Sequence, residues 1–404
     1  MENLLTRRNI IIAGVGIVII IGLLIYFGSK SGTERTGGGG FLGAIFPSSA
    51  PSPTLGVPGT PSVPLSGPAE LPLSSSAANA LPVGTLIRLS EANISSLVGV
   101  GTTSVRYHKN IPENLGHLFE RRADGTDAEK RISNFTIPQI LRVVWASDAQ
   151  RAVIFYNLDD QVRKLLIDYS TTTPKTNFLP DAVSDVAFSL DSKSLAFIND
   201  AGDNQNIFTA TSDFKNQRKI FDNIIPGLEI SWSAANTIAL KTKSSYAVRG
   251  FLYTVNPSTG AFNKIAEGLG LDVVLNADGS GALYSTVSSD GVLLNLRFVD
   301  IKSGEAKELN VKTIAEKCAF LKTLKHAAYC AVPKNPSGVL PDDWWKGKVS
   351  FRDDFVLIDT ATGQVSSFVP TPLNIISPKI LADDSYILFQ DKISSNLWSL
   401  KLKP

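Results

Sequence analysis

The sequence predicts an all-β propeller, most simply of seven four-stranded blades with six or eight as neighbouring counts, behind one N-terminal transmembrane helix and a disordered linker. Three observations predict it. An uncharged apolar run lies near the N-terminus, a stretch rich in Gly, Pro and Ser comes next, and a strand-rich unit then recurs about every 44 residues to the C-terminus.

Residues 1–9 are expected in the cytoplasm and 10–27 in the membrane. Ile10 to Phe27 carries no charge. At about 1.5 Å per residue it spans roughly 27 Å, against a hydrocarbon core of about 30 Å. Arg7 and Arg8 precede the run, while Lys30 and Arg35 come after it with Glu34 between them. The positive-inside rule therefore puts the N-terminus in the cytoplasm and the rest of the chain outside. A cleaved signal peptide is the competing reading, but it has a shorter apolar core and a small-residue cleavage site. Tyr26-Phe27-Gly28-Ser29-Lys30 lacks an Ala-x-Ala pattern. Either reading exports the remainder of the chain.

Residues 28–82 form the expected stalk. Gly37 to Gly40 are consecutive, and Pro47, Pro51, Pro53, Pro58 and Pro61 come close together. Such a segment buries too little apolar surface to offset its ordering entropy. As a flexible coil it would span roughly 40 Å root-mean-square.

Residues 83–404 read as the propeller. Short apolar runs alternate with period two and stop at Asp, Asn, Gly and Ser, the pattern of strands joined by tight turns. Two rulers give the repeat. Trp145, Phe188, Trp232, Leu275 and Phe320 each close a strand before a polar turn, at steps of 43, 44, 43 and 45. Asp168, Asn256–Gly260, Asp300–Gly304 and Asp359–Gly363 mark a later turn, at steps of 88, 44 and 59. About 44 residues hold four strands and their connections, and such a sheet needs neighbours on both faces, which radial stacking supplies. Strand starts near Arg142, Ser184, Leu228, Leu271, Glu316 and Pro378 give six units. A seventh is implied around Leu97–Glu120. The last unit offers only three strands, so Leu86–Leu89 is expected to supply its fourth and close the ring.

Phe188-Ser-Leu-Asp-Ser-Lys-Ser-Leu-Ala-Phe197 resembles the strand–turn–strand repeat of TolB-like and WD40-like propellers, as does Val273–Tyr284, and Leu357–Gly363 resembles the hairpin between their two outer strands. The likeness covers roughly 140–404. The proline usual in that repeat is missing from every copy, so the resemblance is to the repeat class. It implies a binding platform in the cell envelope.

One unit departs from the period. Phe320 to Leu381 is 61 residues, some 17 too many, and the excess lies at about 335–351. This insertion carries Trp344, Trp345 and Phe351, expected as a protruding aromatic contact for a partner or, alternatively, as a cap folded onto the blade. In the same unit Leu321–Ala327 turns between two strands. If Leu324 is its midpoint, Cys318 and Cys330 stand directly opposite, and export permits a disulfide between them.

Chemistry-bearing motifs are sparse. Lys+Arg 39 against Asp+Glu 37 excludes a strongly basic nucleic-acid binder. His108, His117, His326, Cys318 and Cys330 are too few and scattered for a metal centre. Asp200–Asn206 and Asn276–Ser280 read as hairpin turns rather than calcium loops. No Gly-x-Ser-x-Gly, His-Glu-x-x-His or phosphate loop occurs. Asn93-Ile-Ser95 and Asn134-Phe-Thr136 are glycosylation sequons by pattern. The expectation is a membrane-tethered scaffold that binds an envelope or surface protein, with no catalytic residue, metal or cofactor. The alternatives are an exported glycan hydrolase or lyase with carboxylates in the axial cleft, and a structural subunit of a surface assembly.

Overall fold

The computed structural model describes residues 81–403 except 201, 203, 223 and 224. The expected anchor at 10–27 and nearly all of the stalk lie outside the described residues. Among the described residues no helix is long and apolar enough to cross a membrane.

Seven separate four-stranded antiparallel sheets account for the fold. Blade 1 holds β2 (Ile94–Val100) to β5 (Lys130–Ser133), and blade 2 holds β6 (Ile140–Trp145) to β9 (Lys175–Phe178). Blade 3 runs from β10 (Val183–Phe188) to β13 (Arg218–Phe221), and blade 4 from β14 (Leu228–Ala234) to β17 (Phe262–Leu269). Blade 5 comprises β18 (Asp272–Leu275) to β21 (Ala306–Leu309), and blade 6 β22 (Cys318–Phe320) to β25 (Val365–Pro370). Blade 7 takes β26 (Ile375–Ile380), β27 (Tyr386–Asp391) and β28 (Leu397–Lys401) from the C-terminus. Its fourth strand is β1 (Leu86–Arg88), with Leu86 opposite Leu400 and Arg88 opposite Trp398. Pairing the two ends completes the seventh blade and so closes the ring, with the outer strand of each blade as its remaining edge.

The core is divided among the blade interfaces. Val153, Phe155, Val186 and Phe197 fill the gap between blades 2 and 3. Leu283, Leu296, Phe320 and Ile358 fill that between 5 and 6. Leu97, Tyr107, Leu381 and Leu388 join blade 7 to blade 1. Each sheet is therefore apolar on both faces, which is why its strands read as nearly continuous apolar runs.

Local chemistry explains both rulers. Trp145, Phe188, Leu275 and Phe320 end the inner strands of their blades, and Trp232 lies near the end of its own. The second ruler is the connection between the two outer strands. In Asn256–Gly260, Asp300–Gly304 and Asp359–Gly363 the glycine N–H donates to the carbonyl of the first residue, at 2.8, 2.9 and 2.7 Å. The first residue's side chain accepts N–H groups within the turn, for example Ser303 to Asp300 at 2.8 Å. The glycines adopt φ of 72°, 72° and 79°, where any Cβ is strained.

Candidate functional site at the axial mouth

Antiparallel order gives every blade the same polarity. The connection from second to third strand, called b–c here, lies on the face where the inner strands begin. Turns between first and second strands lie on the opposite face. The inner strands converge on the axis, so their first residues ring a mouth on the b–c face.

Charged groups occupy that ring. A cavity of about 310 Å³ opens among blades 2 to 5, lined by Arg142, Asp185, Glu229, Trp232, Lys241 and Val273 with their neighbours. Arg142 Nη2 meets Asp185 Oδ1 at 2.6 Å, and its guanidinium lies 4.3 Å from the Phe155 ring. Asp185 Oδ2 accepts the Ile230 N–H at 2.9 Å. Further round, Lys241 Nζ contacts Asp272 Oδ1 at 2.7 Å and Glu229 Oε2 at 3.4 Å. Asp272, fully buried, accepts the Glu316 N–H at 2.7 Å on its other oxygen. Both aspartates thus tie an inner strand to the next blade while pairing with a cation. Burial opposes the charge on Lys241, but Asp272 and Glu229 hold its pKa well above the ordinary lysine value. Burial and the nearby Asp272 push Glu316 up to about 7, against the pull of the Trp345 indole, Lys241 and Lys317.

Asp185, Glu229, Asp272 and Glu316 stand 44, 43 and 44 residues apart. One carboxylate therefore recurs at the mouth in four successive blades. The reading by apolar strand ends missed this series because it tracked where strands stop and ignored what stands where they start.

The insertion crosses the same face. Leu340 N–H donates to Gly291 O of blade 5 at 2.8 Å. Asp342, which opens the one-turn helix Asp342–Trp345, accepts the Tyr246 N–H of blade 4 at 2.8 Å. Trp344 is completely buried and Phe351 is 4% exposed, packed with Val287, Leu294 and Ile314. The Trp344 Nε1–H donates to Asn374 Oδ1 of the connection into blade 7 at 3.0 Å. Beneath the ring, Lys317 Nζ lies 4.6 Å from the Trp344 centroid and pairs with Asp353 at 2.6 Å. Burial pushes the Lys317 ammonium down and the Asp353 carboxyl up, each opposing the other's shift. Trp344 and Phe351 therefore follow the reading of a cap folded onto the blade and not that of a protruding patch: they fold inward because a buried cation and an apolar pocket take their rings. Trp345 is half-buried at the edge.

Cys318 and Cys330 are direct partners in the β22–β23 register and are joined by a disulfide. It sits in the interface with blade 5, remote in role from the mouth. Among the described residues no three of His, Cys, Asp and Glu converge as metal ligands. Asp278 accepts from the Ser280 N–H and hydroxyl within its turn, at 3.1 and 2.6 Å. The Asp200–Asn206 turn lies partly outside the described residues. His108 is buried between Ser96 and Tyr169, and burial lowers its pKa to about 3.

Neither the known family models nor the curated proteins contain a match to this chain. Solved structures do resemble it. Oligogalacturonate lyase from Vibrio parahaemolyticus aligns over 79% of this chain and 93% of its own, with TM-score 0.57 and 8% identity. A chain of the mitotic checkpoint complex aligns over 85% and 99%, with TM-score 0.54 and 8% identity. TolB from Acinetobacter baumannii aligns over 63% of this chain at 16% identity and TM-score 0.43, and this chain spans only 60% of its length. At such identities the likeness is one of fold: a seven-bladed β-propeller. Propellers of that fold include both an enzyme and a member of a multiprotein assembly.

Proposed function

We propose that the protein is a membrane-tethered, extracytoplasmic binding platform that holds another envelope or surface protein on its b–c face. One observation carries this reading. The b–c connections of blades 4, 5 and 7 expose Val248 at 60%, Leu293 at 58% and Ile393 at 70%, all toward the same side. Aliphatic side chains at several loop tips of one face are a cost in water that a partner would remove. The apolar run Ile10–Phe27 supports the tether and the proline-rich stretch after it the stalk. Chemical cross-linking on intact membranes tests the contact. Val248→Ser, Leu293→Ser and Ile393→Ser together should abolish a cross-linked partner band while leaving thermal stability unchanged. An undiminished band removes this face from the proposal. Protease accessibility in sealed cells tests the topology.

A second reading, an exported enzyme acting on glycans, has one observation in its favour. Burial and Asp272 raise the Glu316 pKa to about 7, the range a general acid or base requires. The structural likeness to an oligogalacturonate lyase names the substrates to try first. Turnover of acidic oligosaccharides by the wild type that vanishes in Glu316→Gln would favour the enzyme. Absence of turnover across such a panel would leave the platform standing.

A further inference from the structure

The fold treats the two Asn-x-Ser/Thr triplets of the chain in opposite ways. Asn93-Ile94-Ser95 leads into β2, the innermost strand of blade 1. The Asn93 carbonyl accepts the Asn110 N–H at 2.7 Å, and the Ile94 N–H donates to Ser395 O of blade 7 at 2.9 Å. The Ile94 carbonyl accepts from the Gln390 amide at 2.8 Å, and the Ile94 side chain is 3% exposed. Asn93 reaches solvent, but Ser95 is half-buried in the strand. An enzyme that must hold all three residues at once would have to open the seam between blades 7 and 1.

Asn134-Phe135-Thr136 lies between β5 and β6, outside any sheet. All three side chains are exposed, while Ser133 before them and Ile137 after them are buried. These two buried residues fix the segment. The Ser133 hydroxyl accepts the Phe135 N–H at 3.2 Å, and the Ile137 N–H donates to Leu115 O at 3.1 Å. The Asn134 amide oxygen accepts from Arg131 Nη1 at 3.4 Å, and among the described residues nothing bonds its amide nitrogen. Thr136 Oγ1 stands 3.4 Å from His117 Nε2 and has no closer partner among them. A free amide nitrogen, an accessible hydroxyl two residues on and a backbone outside the ladders are what a glycosyl transferase must find. Loops held at both ends by a rigid scaffold present such groups well.

We propose that Asn134 is the acceptor of an N-linked glycan and that Asn93 in the folded chain is not. The donor is an oligosaccharide carried on a lipid diphosphate. The Asn134 amide nitrogen forms a bond to C1 of the first sugar, and the bond from C1 to the phosphate oxygen breaks. One amide proton passes to a base of the transferase, and the lipid diphosphate leaves. The inference rests on the extracytoplasmic reading, because acceptors of this kind belong to exported chains. A bulky, solvated glycan here keeps protein partners off the seam between blades 1 and 2. It leaves the exposed tips Val248, Leu293 and Ile393 of blades 4, 5 and 7 free.

The test uses the folded full chain in detergent, with a purified oligosaccharyltransferase that accepts Asn-x-Ser/Thr and a lipid-linked oligosaccharide. Mass spectrometry should find one glycan per chain, on Asn134. Asn134→Gln and Thr136→Ala should each abolish it, Thr136→Ser should retain it, and Asn93→Gln should leave it unchanged. Asn134→Gln should unfold at the wild-type temperature, since the side chain it replaces is exposed. An unmodified Asn134, or transfer to Asn93 of the folded chain, would overturn the site. A second arm separates the site from the topology. The chain is made on sealed vesicles that hold the same enzyme and donor inside, and Leu73→Asn adds a control acceptor before Ser74 and Ser75. Glycan on the control without one on Asn134 would overturn the site alone. Glycan on neither, after transfer in detergent, would overturn the extracytoplasmic reading.

Discussion

On the blade 6 side of the mouth, Lys317 and Asp353 meet at 2.6 Å and neither side chain shows any surface. On the blade 2 side, Arg142 and Asp185 meet at the same 2.6 Å, and Arg142 keeps 42% of its side chain exposed. Both carboxylates also accept an inner-strand N–H from the following blade, Ile375 at 2.7 Å and Ile230 at 2.9 Å. The difference is the insertion. Trp344, Phe351 and Asn374 close over Lys317, whereas Arg142, with the Phe155 ring on one side, lines the cavity. The same pair is a sealed brace in one sector and an open wall in the other. The cavity at the mouth is lined from blades 2 to 5.

The largest effect should come from opening the sealed pair. Lys317→Ala leaves Asp353 buried without its cation, a change that costs about 3–5 kcal/mol. Arg142→Ala should cost less than Lys317→Ala, because Asp185 lines the open cavity, where water can take the place of the guanidinium. Urea unfolding of the two variants measures the contrast, and similar losses would mean that the insertion does not seal the pair. Trp344→Ala should come close behind, at about 3 kcal/mol for a fully buried indole. It should also let water reach Lys317 and so weaken the effect of a second substitution there. A double-mutant cycle with Lys317→Ala that is additive would show that ring and cation act separately.

A more modest effect is expected from the disulfide. Cys318 and Cys330 close a loop with a sequence separation of 12. Replacing both by alanine should cost about 2 kcal/mol, near the low end for a native bridge. Because the bond lies in the interface between blades 5 and 6, the loss should appear as faster amide exchange in blade 6, with blade 2 unaffected. Uniform acceleration would mean that the ring unfolds as one unit.

The sealed and open sectors were not equally legible from sequence. The ring itself was, because its signs are local: an aromatic or leucine closing each inner strand, an Asx–Gly turn between the outer ones, and Leu86–Leu89 left over to complete blade 7. The facing of Cys318 and Cys330 came from hairpin symmetry alone. The path of the insertion did not, since it depends on Lys317, which lies 27 residues before Trp344, offering a cation for the ring to cover. Two adjacent tryptophans in a Pro/Gly-rich segment look the same whether they fold in or out. The open sector was written plainly in Asp185, Glu229, Asp272 and Glu316, yet a search for apolar periodicity passes over charged residues.

The smallest effect, and the one that probes the boundary between the sectors, concerns Glu316. It touches the open wall through Asp272 and the sealed side through Trp345. In the fold its pKa is pushed from the ordinary 4.5 up to about 7. The folded chain therefore binds an extra proton between those values relative to the unfolded chain. The stability this contributes is fully present below about pH 4.5 and is lost as pH rises through about 7. Glu316 is partly exposed, so solvent screens the effect. Glu316→Gln should flatten the decline in unfolding free energy from pH 5 to 8 without changing it at pH 4.5 or below. A variant whose profile runs parallel to the wild type would place Glu316 in bulk water. The proton would then belong to neither sector, and the carboxylate series around the mouth would be a row of solvated side chains rather than a shared electrostatic wall.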